Sequence, residues 1–370
     1  MAVRSSTSSN KGHLYSLDLI KALGIVLVIN SHLDDVYKSP LLATGGALGN
    51  SLFFLASGVG LGYGWAHHGP QQLGTWYQRR ILRIYPSLTI LNIIFLLATF
   101  SSFAKQSPQE IFSFLIYPTP YFFIAAIMLF YIPGYFLLRA QSTRVLVATI
   151  FASLGVYFAW YTTLDLRNFT IEGESYFRWV FYFIVFVIGL LYARLKTTQD
   201  NPDTASAPLR GLLSTLSQHP VPALACSFGF FAISKFIFRD STPLVMNFQF
   251  LVQFFTLMLT WYVFQVSETV ACQLQRHRFA WPLVSLLSAI TLELYLLDRY
   301  TDPYIRNTNE LVNSLDLFFP FEFKSRLLAA AVLWVVLITL AYLLSRLSGS
   351  ISKFLPSPKR AAIEQKSKAS

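Results

Sequence analysis

Apolar residues in this chain gather into long runs rather than alternating at the period of a soluble helix or strand. Runs of about twenty residues, enough to cross the hydrocarbon of a bilayer, fall at 17–36, 46–65, 84–102, 119–138, 145–163, 177–195, 220–238, 245–266, 281–297 and 327–345. The pattern predicts an all-α, polytopic membrane protein, a bundle of about ten transmembrane helices. The fourth run contains Pro133 and Gly134, and the seventh and ninth are short or interrupted. Such breaks survive in a membrane only where neighbouring helices or water satisfy the freed backbone groups, so the bundle is expected to enclose a cavity.

Composition agrees. Of 370 residues, 54% are hydrophobic and 13% charged, about half the charged fraction usual in a soluble domain. The polar opening MAVRSSTSSNKG leads into the first run without a clear small-residue cleavage site, so that run reads as a retained span rather than a secretory signal. The expected organisation is a cytoplasmic segment 1–16, a membrane domain 17–346 and a basic tail 347–370, with the polar stretch 197–219 as a flexible connector between six spans and four. With the amino terminus inside, Arg79, Arg80, Arg83, Arg139, Arg194, Arg276 and the tail share one side. By the positive-inside rule both termini are then cytoplasmic. Anionic lipid is a sufficient partner for the net charge of +11, and nucleic acid is not expected. Cys226 and Cys272 lack the spacing of a metal site, and no metal is expected.

Ionisable groups inside such runs mark candidate chemistry. In SLDLIKALGIVLVINSHLDD, Lys21 and His32 stand eleven positions apart. On a continuous helix that is about three turns, which sets them within roughly 20° of one face and about 16 Å apart, so both are expected to line one cavity. Taken singly, Lys21 also reads as a snorkelling lysine at a helix end, and His32 as an interfacial histidine. Asp34 or Asp35 is placed to orient the imidazole. The second run places Ser57 beside Gly58, Gly60, Gly62 and Gly64, a small-residue face for close packing that is expected to press this helix against the first. In TWYQRRILRIYP, a helix stacks Arg79 or Arg80 with Arg83 on one side. Guanidinium forks there suit phosphate groups. Glu293, inside the ninth run, is expected to be paired or to line the cavity in an orienting role.

The ordered set of Asp18 and Lys21 with His32, then Phe53, Phe54, Ser57 and Gly58, then Arg80 and Arg83, resembles the acyltransferase 3 family of membrane enzymes that O-acylate envelope and secreted glycans. PTPYFFIAAIMLFYIPGY and TLELYLLDRYTDP are similar to the family's fourth span and late motif, so the resemblance covers nearly the whole chain. Two positions depart from the pattern: the usual arginine is Lys21, which loses the rigid fork, and the usual late histidine is Asp298. The resemblance implies an O-acyltransferase of the bacterial cytoplasmic membrane that moves an acyl group, acetyl by expectation, from cytoplasmic acyl-CoA to a sugar hydroxyl of an exopolysaccharide, capsule or lipopolysaccharide. It implies His32, Lys21 and Ser57 as catalytic residues, with His32 a general base or an acyl carrier. Arg79, Arg80 and Arg83 would bind CoA phosphates; Asp34, Asp35, Glu293 and Asp298 would orient groups or face the acceptor. No hydrolase domain follows the last span, which implies a stand-alone enzyme. The competing class is a transporter or flippase of lipid-linked sugars with the buried Lys, His and Glu as a proton relay. No inverted repeat supports it, and the large outer loop of a glycan polymerase is missing as well.

Overall fold

The structure is a computed structural model, and it describes residues 14–33, 42–98, 107–115, 121–166, 169–171, 173, 175–198, 206–239, 247–306 and 322–353. All regular structure among these residues is helical. We number the helices α1 (Tyr15–Asn30), α2 (Gly46–His68), α3 (Leu73–Ala98), α4 (Pro108–Leu115), α5 (Phe122–Ala140), α6 (Thr143–Tyr161), α7 (Phe177–Thr197), α8 (Ser206–Leu216), α9 (Pro220–Arg239), α10 (Phe250–Leu274), α11 (Ala280–Ala289), α12 (Thr291–Arg306) and α13 (Glu322–Ser352).

A helix occupies each of the ten apolar runs, but length and composition qualify fewer of them as spans. Among the described residues six helices are long and apolar enough to cross a membrane: α3, α5, α6, α7, α10 and α13. The pair α11 and α12, bent by 64° at Ile290, makes a seventh if counted as one broken span. By this criterion the described residues supply six or seven spans, beside the ten expected from the apolar runs. Helix α1 has 16 residues, fewer than the roughly 20 a span needs, and the glycines of α2 dilute its apolar character.

Helix α2 is central. It lies along α7 on one side and α1 on the other, while α1 also touches α10, α11 and α12. Helix α12 packs against α1, α3 and α13. The core between α2, α5 and α7 is aromatic: Phe54 stacks on Tyr182 at 4.9 Å and meets Phe123 edge-on at 4.8 Å. Such pairs add about 0.5–1.5 kcal/mol beyond the area they bury.

Small residues set both of α2's interfaces, and not as the sequence pattern implied. Gly58 and Gly62 face α7, not α1. A Cβ on Gly58 would meet the Phe186 carbonyl, and one on Gly189 would sit 2.5 Å from the Leu55 carbonyl. Helix α1 is approached instead through Gly24 and Gly49, where an added Cβ on Gly49 would lie 2.6 Å from the Gly24 carbonyl. The turn into α2 needs Gly45, whose φ of +113° is costly for any residue with a Cβ.

Helix α1 stops at Asn30 because the chain turns there. The Asn30 amide donates to the Leu42 and Thr44 carbonyls at 2.8 and 3.0 Å, and Ser31 Oγ donates to the Val28 carbonyl at 2.6 Å. Helix α3, by contrast, runs through Pro86 and begins at Leu73, eleven residues before the run that announced it. The three arginines therefore ride on one continuous helix. At the α11–α12 break, Thr291 Oγ1 donates to the Leu287 and Ser288 carbonyls at 2.7 and 3.1 Å, replacing backbone bonds lost at the bend.

Candidate functional site

Helices α1, α2, α3, α5 and the α11–α12 break surround a cavity of about 530 Å³, within the ordinary range for small-molecule sites. Lys21, Ser57, Arg79, Arg80, Arg83 and Glu293 all line it. One lysine on α1 and three arginines on α3 thus converge on one space.

The cations are held differently. Arg80 Nη1 donates to the Trp76 carbonyl at 2.5 Å, and its guanidinium lies 3.5 Å from the Trp76 ring centroid and 5.8 Å from that of Tyr131. This cation–π seat fixes Arg80 against the aromatic wall. Trp76 is in turn packed edge-on to Tyr131 and Tyr135, and Tyr77 ties α3 to α5 by donating to the Met128 carbonyl at 3.1 Å. Among the described residues, the Nε atoms of Arg79 and Arg80 are buried without a hydrogen-bond partner. Lys21 Nζ lies 3.7 Å from Asp18 Oδ1, and Ser288 Oγ donates to the same oxygen at 2.8 Å. Asp18 therefore links the lysine to α11 just before the break.

Glu293 accepts a hydrogen bond from Ser87 Oγ at 2.7 Å; both are buried, 5% and 1% exposed. It is a wall of the cavity anchored to α3. With four cations against two carboxylates, Asp18 and Glu293, the site carries net positive charge in a partly dehydrated space. There, charge-assisted bonds to an anion are strong.

His32 is elsewhere. It sits in the tightened turn after α1, its N–H bonded to the Ile29 carbonyl at 3.0 Å, and it is not among the residues that line the cavity. The helical-wheel argument that put it in one cavity with Lys21 assumed a helix that continues past Asn30. Its Nδ1 instead donates to Asp298 Oδ2 at 2.6 Å. The imidazole is 42% exposed and the carboxylate 3%. A carboxylate accepts only, so this contact fixes a proton on Nδ1, and in the neutral imidazole Nε2 is then the acceptor. Asp34 and Asp35, the other carboxylates considered for this task, lie outside the described residues.

Sequence reasoning missed Ser87, Ser288, Trp76 and Tyr131. Trp76 alone was signalled: it stands four residues before Arg80, the spacing at which side chains meet on a helix. The hydroxyl partners come from helices distant in sequence and had no local mark. Among the described residues no group of His, Cys, Asp and Glu is arranged to hold a metal ion.

No curated protein and no solved structure matches the chain. The family described as "Acyltransferase domain", acyltransferase 3, matches residues 14–347, which takes in every residue of the cavity and the His32–Asp298 pair. The chain belongs to the acyltransferase 3 family and is a multi-pass membrane acyltransferase.

Proposed function

We propose that the protein takes acyl-CoA from the cytoplasm and transfers its acyl group, acetyl by family expectation, to a sugar hydroxyl of an exopolysaccharide, capsule or lipopolysaccharide at the bacterial inner membrane. Both termini lie on the cytoplasmic side in this reading, as the distribution of basic residues favours. The observation that carries the reading is the cationic cavity: Lys21, Arg79, Arg80 and Arg83 line one space, and among the described residues the Nε atoms of Arg79 and Arg80 have no protein partner. Phosphates and a departing thiolate are the anions such a site suits.

In the transfer step the acceptor hydroxyl oxygen attacks the thioester carbonyl carbon, the new C–O bond forms and the C–S bond breaks. The hydroxyl proton passes to Nε2 of His32, whose Nδ1–H remains on Asp298. A positioned base of this kind contributes about 10²–10⁴-fold to rate. The thiolate leaves into the cationic cavity, where Lys21 and Arg83 stabilise its charge until it takes a proton from water, and His32 returns its proton to solvent. Ser57, on the cavity wall, is placed to donate a hydrogen bond to the thioester oxygen.

Equilibrium binding of labelled acetyl-CoA to the purified full-length protein tests the donor. Saturable binding, weakened in Arg83→Ala, is expected. An absence of saturable binding in the intact protein would move the reading to a transporter of lipid-linked sugars.

A further inference from the structure

Three rings stand at the end of the cavity that lies toward His32. Contacts between α1 and α2 fix the heights. Proceeding along α1 from Lys21, Gly24 is met by Phe53, whose Cε1 would lie 2.8 Å from a Cβ placed there; Val28 is met by Gly49 and Ser31 by Gly46. At about 1.5 Å per residue, Phe53 stands roughly 4.5 Å beyond Lys21 and roughly 9 Å short of the end of α1 at Asn30, where the chain turns toward His32. Helix α12 gives the same order: Glu293 and Tyr295 line the cavity, and Asp298, three residues further, holds His32.

At that height Phe53 lies 5.3 Å from Phe123, and Phe123 lies 5.7 Å from Tyr295, centroid to centroid. All three rings line the cavity. Tyr295 Oη also accepts a hydrogen bond from the Phe123 backbone N–H at 3.0 Å. That N–H belongs to the first turn of α5, where it has no partner within the helix. One hydroxyl thus ties α12 to the start of α5 and holds two of the rings in register. Phe123 is backed by Phe54 at 4.8 Å, so it has little room to withdraw.

We propose that Phe53, Phe123 and Tyr295 are the acyl-size filter of this acyltransferase: a layer one ring thick that lodges an acyl chain of two to four carbons with its carbonyl carbon between the CoA side and the His32 side. The inference rests on the acyl-CoA reading of the cavity. A close-packed aromatic layer does not accept added methylenes without displacing its own side chains, and discrimination of about 10–200-fold per methylene is within reach of an apolar pocket. The same layer keeps the thioester from bulk water until an acceptor hydroxyl arrives from the other side.

The test supplies acetyl-, butyryl- and hexanoyl-CoA separately to membrane vesicles of the producing cell containing the full-length protein, and measures each ester on the cell's glycans by mass spectrometry. The intact protein is expected to favour acetyl over hexanoyl at least tenfold. Phe123→Ala and the milder Phe123→Leu and Phe53→Leu are expected to raise the hexanoyl-to-acetyl ratio, the alanine variant about tenfold or more. Phe151→Ala, on an exposed face of α6, is expected to leave the ratio unchanged. Unaltered ratios in the leucine variants and in any alanine variant that accumulates would overturn the filter alone. Absence of transfer from all three thioesters by the intact protein would overturn the donor reading and the filter with it.

Discussion

His32 and Asp298 are bonded at 2.6 Å across 266 residues of sequence, with the carboxylate 3% exposed and the imidazole 42% exposed. The contact holds the ring through Nδ1. Asp298 thus stands in the position where the family resemblance anticipates a histidine, and the substitution converts that position from a second imidazole into a fixed acceptor for the first.

A prediction concerns this pair. Asp298→Asn keeps the size but allows the opposite imidazole tautomer, so acyl transfer is expected to fall about 10²–10⁴-fold, approaching the loss from removing the base itself. Asp298→Glu restores the carboxylate and is expected to recover part of the rate. Because the two residues act as a unit, the double variant His32→Ala/Asp298→Asn is expected to be no slower than His32→Ala alone. Initial rates of glycan acylation at matched protein abundance check all three, and additive losses would mean that the contact does not serve His32.

The cationic cavity makes a separable prediction. Arg83 and Lys21 line the cavity proposed to hold the donor, so Arg83→Ala is expected to raise KM for acyl-CoA about tenfold to a hundredfold, the equivalent of one lost charge-assisted bond of about 1.5–3 kcal/mol. Lys21→Arg keeps the charge and is expected to bind acyl-CoA better than Lys21→Ala. Arg80→Ala is expected to cost stability as well, because its guanidinium is packed on Trp76. Thioester titrations and thermal unfolding of the purified variants distinguish the two effects.

The glycines of α2 should not behave alike. Gly58→Ala drives a methyl group into the Phe186 carbonyl, and Gly189→Ala into the Leu55 carbonyl, so each is expected to destabilise the α2–α7 pair by about 1–3 kcal/mol or more. Gly60→Ala meets nothing nearer than Leu17 at 3.8 Å and is expected to fold normally. Thermal unfolding in detergent gives the ranking; equal losses at Gly58 and Gly60 would contradict the packing described.

These outcomes bear on what was legible from sequence. Apolar run length located a helix at each expected place, because burial in lipid demands a near-continuous apolar stretch. The arginine spacing put Arg79 or Arg80 with Arg83 on one side of a helix, and all three line the cavity from α3. The partner of a face was not legible: the Gly58 stripe says that something approaches closely and not that it is α7. Nor was the end of α1, which depends on the Asn30 side chain reaching the Leu42 and Thr44 carbonyls. That turn took His32 away from the cavity that a continuous helix would have given it. The pairing with Asp298 is a contact between distant helices, and no local pattern encodes it.

The central claim is that this chain esterifies a glycan through His32. Mass spectrometry of the producing cell's polysaccharides, comparing the intact protein with His32→Ala at equal membrane abundance, tests it most directly. The account predicts loss of one O-acyl substituent in the variant, with polymer amount and length unchanged. Unchanged acylation accompanied by altered export or polymer length would contradict it.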